Sequence, residues 1–296
     1  AAAAAHRIDL ARALADATTR ARRGNAGTHL REIGMRNATV ILVDQGRQSV
    51  WRIPEMAIDL EHMKRRSVIA GKATIVSGRG PWSLVFHAEE NEKAQRIALK
   101  VSVRDLVPRS LAQSLPLLAA LDGFDLPVGG DATVELSRSG DVISASMALE
   151  VQRGRIQLPW LGDGNFTVDA GLIRLAYDQS RERLEIAPST LKWGESRMTL
   201  TGSVASQRSA IGEPIWTFDV NATEGALSAE EFGVRGLPIE VWRVAGHASQ
   251  LRRFVQIDEF RVRAGGGELT LAGLIDAPAA GDTTNAAFNG QLSAMP

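Results

Sequence analysis

IALKVSV, residues 97–103, alternates apolar and wet side chains without a break. Ile97, Leu99, Val101 and Val103 fall on one side of an extended chain and Ala98, Lys100 and Ser102 on the other, because successive side chains of a strand point to opposite faces. The same period of two returns along the chain. Val134 and Leu136 alternate with Thr133 and Glu135; Ile143, Ala145, Met147, Leu149 and Val151 alternate with Ser144, Ser146, Ala148 and Glu150. Leu200, Gly202 and Val204 alternate with Thr201 and Ser203, and Leu269, Leu271, Gly273 and Ile275 with Thr270 and Ala272. Turn residues fall between these runs at Asp44-Gln45-Gly46, Ser77 to Gly80, Ser139-Gly140-Asp141 and Asp163-Gly164-Asn165. The pattern predicts about fifteen one-sided strands, and helices of ten or more residues between them are missing, which argues against βαβ units.

The chain of 296 residues is 44% hydrophobic and 23% charged, a composition that folds. Its 34 basic side chains balance 34 acidic ones, so no general electrostatic case exists for nucleic acid as a partner. Without cysteine there are no disulfides, thiolate nucleophiles or cysteine metal sites. No apolar run approaches the roughly 20 residues of a membrane span.

Helical signals are sparse. His6 to Arg23 is rich in alanine, leucine and arginine and stops at Gly24, so residues 1–27 are expected to form an N-terminal helix and linker ahead of a β segment over 28–296. Ser110 to Leu121 carries leucines at helical spacing, interrupted by Pro116. Ser228 to Glu231 has the spacing of a capping box and predicts a short helix before Gly233. An internal repeat is expected at approximately 109–159 and 225–273, each copy carrying a short helix, a Leu-Pro pair (Leu126-Pro127, Leu237-Pro238) and paired strands. After 277–284, rich in small and turn residues, one last strand follows, and the chain reads as an internal segment of something longer.

Chemistry-bearing constellations do not assemble. His6, His29, His62, His87 and His247 lie far apart with no ligand spacing, so no metal site is expected. There is no Gly-x-Ser-x-Gly and no phosphate loop, and Gly265-Gly266-Gly267 joins two strands as a bulge or turn. The acidic runs Glu89-Glu90-Asn91-Glu92 and Asp258-Glu259 read as solvated strand ends. Six tryptophans spread over separate strands read as rim or core packing rather than a sugar platform. Arginine outnumbers lysine 29 to 5, which suits snorkelling at the rim of an apolar surface. No catalytic residue and no cofactor is expected, and the chain is not read as an enzyme.

The stretches REIGMRNATVILVD (31–44), VWRIPEMAIDLE (50–61) and SVIAGKATI (67–75), with LVPRSLAQSLPLLAALDGFDLPVGGDATVEL (106–136), GRIQLP (154–159) and RMTLTGSV (197–204), resemble the AsmA-like family of bacterial envelope proteins, which includes TamB and YhdP. The nearest likeness is to the long alphaproteobacterial members with an AsmA-like C-terminal region. The resemblance implies a mainly β fold, a long antiparallel sheet curled into an open apolar groove. It implies a periplasmic protein, tethered to the inner membrane by parts outside this chain, with phospholipid as cargo bound for the outer membrane and envelope proteins as possible partners. The groove-facing, lipid-binding residues would be Ile97, Leu99, Val101, Val103, Val134, Leu136, Met147, Leu149, Val151, Leu200, Val204, Leu269, Leu271 and Ile275.

Elementary physics is compatible with this. Fifteen strands about 4.8 Å apart make a sheet roughly 70 Å wide, and sheets of more than about ten strands curl, split or close. A one-sided sheet must cover its apolar face, and an acyl chain of about ten methylenes would supply on the order of 8 kcal/mol doing so. Two other classes satisfy the same pattern: a structural or adhesive β-solenoid with a dry core, and a carbohydrate-active β-sandwich enzyme. Occupancy of the apolar face by lipid, a dry core, or clustered carboxylates at a cleft separates the three.

Overall fold

A computed structural model describes residues 31–44, 47–63, 66–91, 95–114, 116–157, 165–208, 212–229, 234–249, 251–276 and 285–293. The expected helix over His6 to Arg23 lies outside them. Where the period of two runs, a strand forms, and the protein is mainly β, with one large antiparallel sheet and almost no helix. Five strands open the sheet: β1 (Glu32–Asp44), β2 (Arg47–Met63), β3 (Arg66–Ser77), β4 (Gly80–Asn91) and β5 (Arg96–Leu106). β7 (Val128–Ser137) and β8 (Val142–Val151) continue it, followed by β11 (Ala170–Asp178), β12 (Arg183–Trp193), β13 (Ser196–Arg208) and β14 (Pro214–Ala229). β15 (Val234–Ser249), β16 (Phe254–Ala264), β17 (Gly267–Asp276) and β18 (Asn285–Ser293) complete the 15-stranded order. The short β6 (Phe124–Asp125), β9 (Gly154–Gln157) and β10 (Asn165–Val168) lie outside the large sheet. The chain divides into two compact units, Ala1–Met147 and Ala148–Pro296.

In the first unit the hairpins pair in register, Val40 with Trp51, Ile75 with Trp82 and Leu84 with Val103. The β2–β3 register shifts between Arg52 and Glu55, where Pro54 has no N–H to give the ladder. Ser77 Oγ closes the β3–β4 turn by donating to the Gly80 carbonyl at 3.2 Å. The leucine-spaced stretch divides at its proline, as expected: helix α1 spans Pro108–Ser114 and a 3-10 segment spans Pro116–Leu121. Leu111 of α1 packs on the cluster of Ile53, Ile75 and Trp82, and Trp51 meets Trp82 edge to face at 6.1 Å. Asp125 fastens this cover, pairing with Arg79 at 2.9 Å and Arg109 at 3.6 Å.

In the second unit β9 pairs with β10, and β11 to β18 pair consecutively. Gly265 and Gly266 have φ of 56° and 85° and form the two-residue turn between β16 and β17, the backbone of a twisted hairpin that glycine adopts without strain. Of the short helix expected from Ser228, residues 230–233 lie outside the described residues. Ser228 and Ala229 end β14, because the buried Ser196 Oγ accepts from the Ser228 N–H at 2.9 Å and donates to its carbonyl at 3.2 Å, binding that backbone into the sheet. The two copies of the expected repeat also diverge here: Leu126-Pro127 precedes β7, whereas Leu237-Pro238 lies inside β15.

Candidate functional site: the apolar sheet face

Register decides which side chains share a face. In the first unit Ile97 stands opposite Leu136, Leu99 opposite Val134, and Val101 opposite Ala132, so five of the predicted groove residues form neighbouring cross-strand pairs or lie in their rows. Ile97 and Leu136 are buried with Val134 packed against them, and Val103 stands opposite Gly130. The same rows continue onto β4 through Leu84, Phe86 and Ala88 and onto β3 through Ala73, Gly71 and Ile69. On β8, Met147 and Leu149 are half-buried and Val151 is buried, while Ala148 and Glu150 between them are exposed.

In the second unit the predicted residues of β13 and β17 also fall on one face. One row runs Val204, Phe218, Gly246, Ile257, Gly273, Phe288 from β13 to β18. The next runs Val220, Val244, Phe260, Leu271, Gly290, and a third Ala222, Trp242, Val262, Leu269, Leu292. Leu200 begins this third row opposite Ala222, and Ile275 stands between Val255 and Ala286 in a fourth. Most of these side chains are half-buried, and Phe288 and Leu292 are 47% and 75% exposed. Among the described residues, twelve apolar side chains are buried in the first unit but only Val151, Val168, Met198 and Ala264 in the second.

Sequence reading missed the aromatic members of these rows, Phe86, Phe218, Trp242, Phe260 and Phe288. Phe218 alternates with Thr217 and Asp219, so its periodicity carried the signal; its partners needed the register. Trp242 meets Phe260 edge to face at 6.1 Å, and Phe166 meets Trp193 at 5.5 Å, consistent with tryptophans that pack. Trp216 is 44% exposed, and Trp160 lies outside the described residues.

The opposite face of the second unit is ionic. Arg243 donates to both carboxylate oxygens of Asp219, at 3.2 and 2.9 Å, and to Glu259 at 3.0 Å; Arg261 bridges Glu259 at 3.1 Å and Glu268 at 3.5 Å. The Arg243 guanidinium holds the Asp219 carboxyl below its ordinary value, and Asp219 in turn raises Arg243. This corrects the reading of Asp258-Glu259 as a solvated strand end: both lie within β16, where the register shifts, and Glu259 is shared by two arginines. His247 pairs with Asp258 at 3.2 Å. Glu90, read as solvated, is 9% exposed and sits on the apolar face opposite Ile97.

Among the described residues no group of three or more metal-ligating side chains is placed to hold an ion, and no helix is long and apolar enough to cross a membrane. A cavity of about 530 Å³ over β11 to β14 is lined by Leu172, Leu191 and Met198 but also by Lys192, Arg197 and Glu224. Its mixed lining differs from the mostly apolar pockets that hold small molecules. The apolar rows within each unit are the most nearly uniform surfaces described. No protein-family model, curated protein or solved structure matches the chain.

Proposed function

We propose that this chain is a lipid-conduit segment of the bacterial envelope, its sheet curled into an apolar trough that holds phospholipid acyl chains on their way from the inner to the outer membrane. It acts in the periplasm as part of a longer protein tethered to the inner membrane, in the manner of the AsmA-like family that its sequence resembles. The observation that carries this reading is the second unit's set of in-register apolar rows, whose side chains remain half-buried. A dry-core solenoid would bury such rows, and leaving them open forgoes about 25 cal/mol for each Å² that a partner could cover. An acyl chain supplies that cover at roughly 0.8 kcal/mol per methylene without any directed polar contact. Carriage of this kind breaks no covalent bond and needs no acid, base or nucleophile. The ionic network on the opposite face supports the same division of labour, one face for water and one for lipid.

Native mass spectrometry and organic extraction of the purified 296-residue chain test the proposal. Co-purified phospholipid, and uptake of a fluorescent fatty acid after delipidation, are the expected results. A delipidated, folded chain that binds no fluorescent fatty acid overturns it.

A further inference from the structure

Three successive ladders of the second unit slip at one level. The β11–β12 register shifts between Leu172 and Arg174, the β12–β13 register between Ile186 and Ser189, and the β13–β14 register between Thr199 and Leu200. A bulge bends its strand and sharpens the local twist. The row beside all three, Leu172, Thr190, Thr199 and Glu224, borders the cavity of about 530 Å³. Two residues along, Lys192 stands directly opposite Arg197 on the same side of the sheet, and both line the cavity. The row between, with Leu191 opposite Met198, turns its side chains to the apolar side, where Met198 is buried. The lining does not extend to Trp193 or Leu200, the next residues on that side, so the cavity opens on the wet face. Like charges directly opposite, with Cβ atoms about 4.5–5.5 Å apart, destabilise a sheet. Elsewhere on the wet face of this unit, Arg243, Arg261 and Arg263 each pair with a carboxylate. Among the described residues no carboxylate, Glu224 included, pairs with Lys192 or Arg197. Two adjoining cations at the wall of a hollow lack the anion that would offset their repulsion.

The geometry points to a binding site here for a hydroxylated phosphate ester. Arg197 offers a planar fork for two phosphate oxygens, and Lys192 adds a point charge beside it. The hydroxyls of Thr190 and Thr199 both donate and accept, while ionised Glu224 only accepts, so it takes a hydrogen bond from a ligand hydroxyl and repels a bare anion. The volume falls within the roughly 300–1,000 Å³ of small-molecule sites and leaves room for a polar body beside the phosphate. The mixed lining that ill suits an apolar molecule suits this one. Glycerol phosphate carries the required groups, whether free or as the head of a phosphatidylglycerol. The site lies on the face opposite the apolar rows and does not depend on lipid occupying them.

Isothermal titration calorimetry of the full chain with glycerol 3-phosphate, inorganic phosphate and glycerol tests the site, and co-sedimentation with vesicles of phosphatidylglycerol or phosphatidylcholine separates the two sources. Lys192, Arg197 and Glu224 are exposed, so their variants should keep the wild-type circular dichroism and melt. Glycerol 3-phosphate is expected to bind and glycerol alone is not. The double variant Lys192→Gln, Arg197→Gln should weaken that binding at least about tenfold, as loss of charge-assisted hydrogen bonds implies. Glu224→Gln should bind inorganic phosphate more tightly while its preference for the ester over inorganic phosphate shrinks, a crossing that a purely structural role would not produce. Binding only to phosphatidylglycerol vesicles, lost in the double variant, supports the site with a lipid head group as its source. No binding in either arm, binding that the double variant retains, or glycerol binding as tightly as its phosphate overturns the site. An ester preference unchanged in Glu224→Gln overturns the assignment of an ester.

Discussion

Arg243 shows how a single residue on the wet face fixes pairing. It reaches Asp219 on the preceding strand and Glu259 on the following one, so a slip of either strand would break it. Both members of the Asp219 pair are more than one-third exposed, and water screens much of their attraction. Arg243→Ala is therefore expected to cost no more than about 1 kcal/mol in urea unfolding at neutral pH. Because Asp219 titrates below its unfolded value, its stabilisation is present at neutral pH and is lost as the pH falls below 3.8 through the lowered folded value. The gap between wild type and Arg243→Ala should close over that acid range. Gly246 makes a different demand. A Cβ there would run into the Gln256 carbonyl of the neighbouring backbone and lie 2.8 Å from the Phe218 ring. Gly246→Ala should destabilise by about 1–3 kcal/mol, read from the urea midpoint at constant slope.

Elements differ in how much of their apolar face is covered. β4 lies inside the sheet with α1 over part of its neighbourhood, and Trp82 is 7% exposed among Ile53, Ile75 and Leu111. Trp82→Ala should cost about 3–5 kcal/mol, the usual range for removing a large buried ring. β18 is the last strand of the order, its described residues are all exposed, and Phe288 is 47% so. Phe288→Ala should cost less than about 1 kcal/mol in the same denaturation assay, because most of the ring's surface change is already in water. Hydrogen exchange gives an independent reading of the same contrast. Amides of β18 should exchange well before those of β4, since one-sided pairing and exposed side chains give a low local opening energy.

At the scale of the whole molecule, the decisive contrast is between the covered apolar face of the first unit and the open apolar face of the second. Ile97 is 4% exposed, whereas Leu271 lies half-buried on its row between Phe260 and Gly290. An unpaired carboxylate at Ile97 has no access to water and costs several kcal/mol, a large part of the 5–15 kcal/mol that holds a domain. Ile97→Asp should fail to give a cooperative melt. Leu271→Asp should remain folded by circular dichroism with a modest fall in melting temperature, while photo-cross-linking of lipid from neighbouring position Leu269 collapses. Thr270→Asp, one residue away on the opposite face and opposite Arg261, should be mild on both counts. Unfolding of Leu271→Asp would favour the dry-core solenoid, and full lipid loading in that variant would mean that the other face carries the cargo.

Side-chain period alone was enough to place β5, β7, β8, β13 and β17 as strands. Ile97, Leu99, Val101 and Val103 must share a side wherever the chain is extended, and the same local geometry makes Pro116 end a helix. What alternation cannot encode is which strand lies beside which, because pairing is a long-range choice among chemically similar strands. The rows that join Val204 to Phe288 and Leu271 to Phe260 therefore appeared only with the registers. The same limit explains Glu259, which looked solvated until two arginines from β15 and β16 closed on it. Glu90 is the clearest case. A charged residue in an acidic run is locally a surface residue, and only the packing of β3, β4, β5 and β7 places it, with Ser67, at the buried margin of an apolar face. Period is a property of consecutive atoms, whereas burial depends on what the rest of the fold brings alongside.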